Sequence, residues 1–415
     1  MKNNHILFFT IVIVWLLFIP AYNIGINVTY NGWAQNAMIF AMLFYFRHGL
    51  FRFFTGQYKS FNIALVCYCI VCILSILLNA DSISKYDTDL LSADGTIQSF
   101  EGVTSPKRAM YMCASLLALT LFVEQLSILN KFAVFLRYLF YIFGIFLIYV
   151  DVDAFSHTVI GEAIGGYVVG TKFQVCYYNL FFCILYYLRH PTLEKKTEKL
   201  LLACFLIIMF LAAIHTKCST MVMGALVCFY LIFILSKNRR RIISSGLFLV
   251  FLTIVIDLGM FFFTTWFLSF EIVQDFIVNV LHEDLTLTGR LGIFERIMEA
   301  FNSNLWVGYG YGNSALLSVY LQCGANPQNG LIEVFLNIGI LGCWAFLSLL
   351  YFGMKHIDLR RWNMKYPIVV FLFTMILISS IEVPFDEIFI FFVILLLANR
   401  EDFEININNR IIKAI

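Results

Sequence analysis

Apolar runs long enough, or nearly long enough with their flanking aromatics, to cross roughly 30 Å of hydrocarbon recur along the whole chain. They lie near residues 6–21, 34–46, 61–78, 109–124, 132–150, 173–188, 200–214, 220–235, 242–264, 331–352, 366–381 and 388–398. The pattern predicts twelve helices, of which the second and last are short for a span that normally takes about 20 residues. The expected fold is therefore all-α, a polytopic transmembrane bundle of ten to twelve helices forming a single membrane domain over residues 1–415. No internal repeat is evident, and residues 6–21 lack a signal-peptide cleavage pattern and read as the start of the bundle.

The polar segments between these runs are unequal, and the largest spans about 265–330. Within it, Phe270, Ile272, Val273, Phe276, Ile277, Val280 and Leu281 recur at helical spacing and predict an amphipathic helix resting on the membrane surface. A second amphipathic helix is expected from Thr288, with Leu291, Phe294, Ile297, Met298, Phe301 and Leu305 as its apolar stripe and Arg290, Glu295, Arg296 and Glu299 pointing elsewhere. Thr288 is a candidate N-cap, and Gly289 allows close approach of another group. A phosphate at this helix start would meet free N–H groups, the positive end of the helix dipole and Arg290 together.

Composition supports the membrane reading. The chain is 61% hydrophobic and only 13% charged, with a mean hydropathy of +0.85; soluble domains carry about 25% charge. A net charge of +2, dispersed over short loops, excludes nucleic acid as the expected partner. Orientation follows from where the 28 Lys and Arg fall. With both termini cytoplasmic, twenty lie inside, seven outside, and Arg137 sits in a helix near the inner surface. The 265–330 loop is then external, on the periplasmic or extracellular face.

Two groups of residues there bear on chemistry. Gly308, Gly310 and Gly312 alternate with Tyr309 and Tyr311, which suits either a tight loop displaying aromatic rings to a sugar or a purely structural turn. Asn329, Glu333 and Asn337 recur at intervals of four and so share one helix face, which should point to the bundle interior or a wet cavity rather than to lipid. The cysteines fall mostly within spans and read as small apolar residues; Cys67, Cys69 and Cys72 lack metal-ligand geometry. Asp87, Asp89 and Asp94 read as a hydrated loop, so neither metal nor cofactor is expected.

Thr288-Gly289-Arg290, then Trp306-Val307-Gly308-Tyr309-Gly310-Tyr311-Gly312, then Asn329-Gly330-Leu331-Ile332-Glu333 with Leu336-Asn337-Ile338-Gly339-Ile340-Leu341-Gly342, resemble the shared region of the O-antigen ligase and Wzy-type polysaccharide polymerase family. The resemblance implies a glycosyltransferase of the bacterial cytoplasmic (inner) membrane. Such an enzyme moves an O-antigen, capsule or exopolysaccharide glycan of the cell envelope from undecaprenyl diphosphate to an acceptor sugar on the outer face. It implies that Arg290 engages the diphosphate. Many members carry His-Asn where this chain has Gln328-Asn329, which tilts the reading from ligase toward polymerase.

Behind Arg290, the expected diphosphate contacts are Arg296, Lys217 and Lys172, with Tyr309, Tyr311, Gln328 and Asn329 on the sugar. The candidate bases are His215, His282 and Glu333, with His157 a further external histidine. Asp257 either lines the same cavity or satisfies a helix contact. Expected partners are membrane lipid, the carrier-linked oligosaccharide, a chain-length regulator and a flippase. Two alternatives stand: an O-antigen ligase, and a lipid-linked oligosaccharide flippase or transporter, which would show repeat symmetry and interrupted helices.

Overall fold

The computed structural model describes residues 1–18, 28–79, 90–91, 97–98, 106–156, 167–267, 270–275, 278–279, 293–294, 296–298, 304–313, 317, 327–355 and 362–398. Every one of the twelve apolar windows carries a helix. In chain order these are α1 (Asn3–Phe18), α2 (Val28–Tyr45), the short α3 (Leu50–Thr55), α4 (Lys59–Leu78), α5 (Pro106–Ile128), α6 (Phe132–Ser156), α7 (Lys172–Arg189), α8 (Lys196–His215) and α9 (Ser219–Phe229), which runs into a π-helical turn at Tyr230–Ile234. They continue with the short α10 (Lys237–Ile243), α11 (Gly246–Phe267), the short α12 (Glu271–Asp275), α13 (Gly330–Lys355), α14 (Trp362–Ile378) and α15 (Glu387–Leu395). Besides turns and an isolated bridge between Tyr167 and Gly170, the described residues hold one two-residue antiparallel pair, β1 (Leu90–Leu91) with β2 (Ile97–Gln98).

Six of these helices are long and apolar enough to cross a membrane, and a seventh span forms if Gly32–Tyr45 and Arg47–Thr55, bent by 53°, are counted together. Asn3–Phe18, Ser219–Ile234 and Lys365–Ile378 are apolar but shorter. This is a multi-pass membrane protein. Its outside carries large apolar residues such as Ile145, Phe251 and Trp344, as a hydrocarbon solvent allows and water does not.

The interior is aromatic. Phe18 packs on Phe143 and Phe181, tying α1 to α6 and α7, while Phe371 of α14 stacks at 3.6 Å on Phe392 of α15. α4 runs against α13, and α13 also contacts α11. Cys69 and Cys72 are buried thiols in α4, in keeping with their reading as small apolar residues. The expected apolar stripes of the long loop are met in part: Phe294 and Ile297 are buried and Arg296 faces out, while Met298, Leu305 and Phe270 are exposed and Ile272 of α12 almost fully so. Phe276, Ile277, Val280, Leu281, Thr288, Gly289 and Leu291 lie outside the described residues, as do Asp87, Asp89 and Asp94.

Candidate active site

α13 is broken at Gly339, which adopts φ 65 and ψ −166. In an unbroken α-helix the N–H groups of Ile340 and Leu341 would donate to the carbonyls of Leu336 and Asn337. The glycine loop takes over all four groups. Tyr309 N–H donates to Leu336 O at 2.7 Å and Gly310 N–H to Asn337 O at 3.0 Å, while Ile340 N–H donates to Leu305 O at 3.0 Å and Leu341 N–H to Trp306 O at 3.2 Å. A break within a helix long and apolar enough to cross a membrane thus leaves none of these four groups unsatisfied.

The crossing is backbone against backbone. A Cβ at Gly308 would lie 2.6 Å from the nitrogens of Ile338 and Gly339, and one at Gly339 would strike the Trp306 carbonyl. α4 locks the junction: Asn79 Nδ2 donates to Gly308 O at 2.9 Å, and Tyr311 N–H donates to Ser75 Oγ at 3.0 Å. Gly312 N–H donates to Asn337 Oδ1 at 3.0 Å. The structural reading of the glycine ladder therefore holds, with positive φ at Gly308, Gly310 and Gly312. Tyr309 departs from the expectation of a displayed ring, because its ring is buried among Phe261, Phe294, Ile297 and Ile332.

Beside this splice lies a cavity of about 200 Å³ walled by Glu333, Asn337, Asp386, Glu387, Tyr68 and Tyr311. It is the size of a sugar ring and carries three carboxylates. Arg290, on which the expected diphosphate contact centres, lies outside the described residues; the lining of this cavity includes no Lys or Arg and is anionic. The reason is local: the first turns of α13 and α15 converge here, and helix starts favour acidic side chains. Glu333 Oε1 accepts from Asn337 Nδ2 at 3.0 Å, so two of the three residues read as one helix face interact along it, while Asn329 does not join them.

Asp386 caps α15, accepting from Phe389 N–H at 2.9 Å and from the Tyr177 hydroxyl at 3.1 Å. Protein packed around it strips water and pushes its carboxyl up to about 7; neighbouring Glu387 adds to the rise, and those two donors oppose it. The residue is itself exposed on the cavity, so solvation weakens both the rise and its consequence for stability. The fold favours the protonated form. Relative to Asp386→Asn, the wild type should lose stability as pH rises from about 4 toward 7 and change little above that. Melting temperatures of both proteins in detergent at pH 5 and pH 8 check this, and a difference independent of pH would contradict it.

Asn329 and Asp257 form a separate clamp. Asn329 Oδ1 accepts from Ile332 N–H at 3.1 Å as the N-cap of α13, and its Nδ2 donates to Asp257 O at 3.0 Å. Asp257 Oδ1 accepts from Ser379 Oγ at 2.7 Å, and Gly330 N–H donates to Ser379 O at 2.7 Å. Both side chains are fully buried. Asp257 thus satisfies a helix contact rather than lining the cavity, and Asn329 positions the start of α13. Gln328, just before it, is partly buried with a left-handed backbone at φ 55.

A second group gathers at the α7 start and α8 end. Lys172 Nζ donates to Lys217 O at 3.0 Å, and the His215 ring packs against Phe155 at 5.0 Å. Tyr177, one and a half turns along α7 from Lys172, donates its hydroxyl to Asp386 Oδ1. Arg290, His282 and His157 lie outside the described residues. The sequence reading missed Asp386, Glu387 and Tyr68. The carboxylates look like ordinary capping, and Tyr68 like core; Pro384 ahead of an acidic pair was the available signal.

Residues 202–347 match the family model described as O-antigen ligase. Over these residues the chain is similar to the O-antigen ligase family. The resemblance drawn from the motifs is thereby met. No characterised protein matches the chain. The family segment runs from α8 into α13 and holds both partners of the splice, Gly308 and Gly339, along with Asp257, Asn329 and Glu333. The residues completing the junction and cavity, Ser75, Asn79, Tyr68, Asp386 and Glu387, come from helices on either side of it. The interruption of α13 is a feature the sequence reading had associated with transporters, but here the chain's own loop fills the gap.

Proposed function

We propose that this membrane enzyme of the O-antigen ligase family is a polysaccharide polymerase. It transfers a growing glycan from undecaprenyl diphosphate to a carrier-linked repeat unit on the outer face of the bacterial cytoplasmic membrane, with both chain termini inside. The observation that carries the reading is the carboxylate-walled cavity set against the spliced family motifs. Three carboxylates repel a diphosphate but accept hydroxyl protons, so the cavity suits the acceptor sugar. Glu333 then serves as general base, worth on the order of 10²- to 10⁴-fold, and Tyr311 offers a ring to the sugar face.

The diphosphate has to be met by cations outside the cavity. Arg290, in the segment where the sequence predicts a helix start, is the principal one, with Lys172, Lys217 and Arg296 in support. Because the leaving group is already activated, positioning and charge neutralisation supply much of the rate. His215 and His282 remain alternatives as base. A chain-length regulator and a flippase are the expected partners.

The family description itself favours a second reading, a ligase that delivers the glycan to a lipid A core. Purified protein incubated with its carrier-linked repeat unit separates the two: a polymerase gives a ladder of longer products, a ligase gives none without the core acceptor. Arg290→Ala should lower the transfer rate by about 10²- to 10³-fold while leaving the melting temperature unchanged. An unaltered rate would remove Arg290 from the mechanism.

A further inference from the structure

The far end of the bundle holds a second polar cavity, of about 480 Å³, that glycan transfer does not use. It lies where α3 turns into α4 beside the end of α5 and is walled by Arg52, Gln57, Tyr58, Glu124, Ser127 and Asn130. Two opposite charges share it without touching. Glu124 is only 8% exposed; its Oε1 accepts from Asn62 Nδ2 at 2.7 Å, and what surface it keeps opens on the cavity. The Arg52 guanidinium stands at the exposed rim with no hydrogen bond or ion pair among the described residues. A buried carboxylate is costly unless its remaining lone pairs are met, and Arg52, the cation in the cavity wall, makes no ion pair with it.

The surroundings set the depth. α3 follows a 53° bend after α2 and is only six residues long. Leu50, Phe51 and Phe54 project from it, Phe51 79% exposed, while Arg47, Arg52 and Lys59 sit within and around it. Apolar side chains facing outward beside basic ones is the pattern of a segment at headgroup level. Asn62 Nδ2 also donates to Phe53 O at 2.8 Å, so the residue that holds Glu124 also holds α3 in place.

We propose that this cavity binds the headgroup of phosphatidylethanolamine. Arg52 takes the phosphate. The primary ammonium reaches Glu124, with Ser127 and Asn130 beside it as further oxygen acceptors. Phosphatidylglycerol would meet Arg52 with the same phosphate but bring only neutral hydroxyls to Glu124, and pockets for more highly charged lipids carry several cations rather than one. A choline headgroup has no N–H to donate, and its usual aromatic cage is absent, Tyr58 being the one ring in the wall. The site is independent of the transfer reaction, and its occupancy fixes the α3 elbow to the bundle.

Native mass spectrometry of the purified full chain, offered equal amounts of phosphatidylethanolamine, phosphatidylcholine and phosphatidylglycerol with identical acyl chains, tests the assignment. The wild type should retain phosphatidylethanolamine over each of the others by about tenfold, the effect of one charge-assisted hydrogen bond. Glu124→Gln should bring the ethanolamine-to-choline ratio near one. Arg52→Ala, at an exposed position that leaves the core intact, should weaken retention of all three. Equal retention of the ethanolamine and choline lipids by the wild type, or unchanged retention in Arg52→Ala, overturns the proposal.

Discussion

Replacing Gly339 by valine is expected to leave no folded protein in the membrane. At φ 65 and ψ −166 the residue occupies a region essentially reserved for glycine, and a β-branched side chain there is strained by about 1–3 kcal/mol before any contact is considered. The new Cβ also meets the Trp306 carbonyl, a backbone atom that cannot swing away. To relieve the clash the glycine loop must retreat, and four backbone hydrogen bonds go with it. Those groups would then face hydrocarbon or protein without water, where each costs several kcal/mol. The combined loss exceeds the roughly 5–15 kcal/mol that holds a typical domain together. Size-exclusion chromatography of detergent extracts checks it, with Gly259→Ala, whose Cβ meets nothing within 4 Å, as the control that should behave as wild type. A monodisperse Gly339→Val protein would mean that the crossing is not as tight as described. Gly308→Val should fail in the same way, since it sits on the other side of one contact.

The second large effect is on rate rather than on folding. Glu333→Gln keeps the length of the side chain and an oxygen to accept from Asn337 Nδ2, so the first turn of α13 should form as before. What it removes is a proton acceptor in the cavity. Transfer should fall by on the order of 10²- to 10⁴-fold at saturating substrate, with the melting temperature unchanged. If the variant retains the wild-type rate while Asp386→Asn loses it, the base is Asp386, the neighbouring carboxyl held near 7. If neither changes the rate, the cavity takes no part in proton transfer.

The family motifs acquire a physical meaning from the splice. Gly308-Tyr309-Gly310 and Asn337-Ile338-Gly339 are separated by about thirty residues of chain yet make one backbone junction. Each is unintelligible alone: the first looks like a flexible loop and the second like an ordinary glycine in an apolar helix. Together they let a loop enter the bundle without exposing peptide groups. The same junction sets Tyr311 and Glu333 on one cavity, so the strained glycines serve the site by placing its walls.

What the sequence determined by itself was the twelve apolar helices of the bundle; the short α3 and the cavity residues Tyr68, Asp386 and Glu387 were not legible in it. Hydrophobicity over about 20 residues is a local property, and a bilayer reads it locally. The stripe that buries Phe294 and Ile297 and the shared face of Glu333 and Asn337 were legible for the same reason, since helical period fixes which side chains are neighbours. Only the tertiary structure decided that Tyr309 is buried, that Asp257 and Asn329 clamp a helix start, and that the cavity is acidic. Those outcomes depend on α4, α11, α14 and α15 meeting α13 from distant parts of the chain. Periodicity carries no information about which helix ends converge, so carboxylates that look like two separate caps, Glu333 and Asp386, become one wall only when the helices pack.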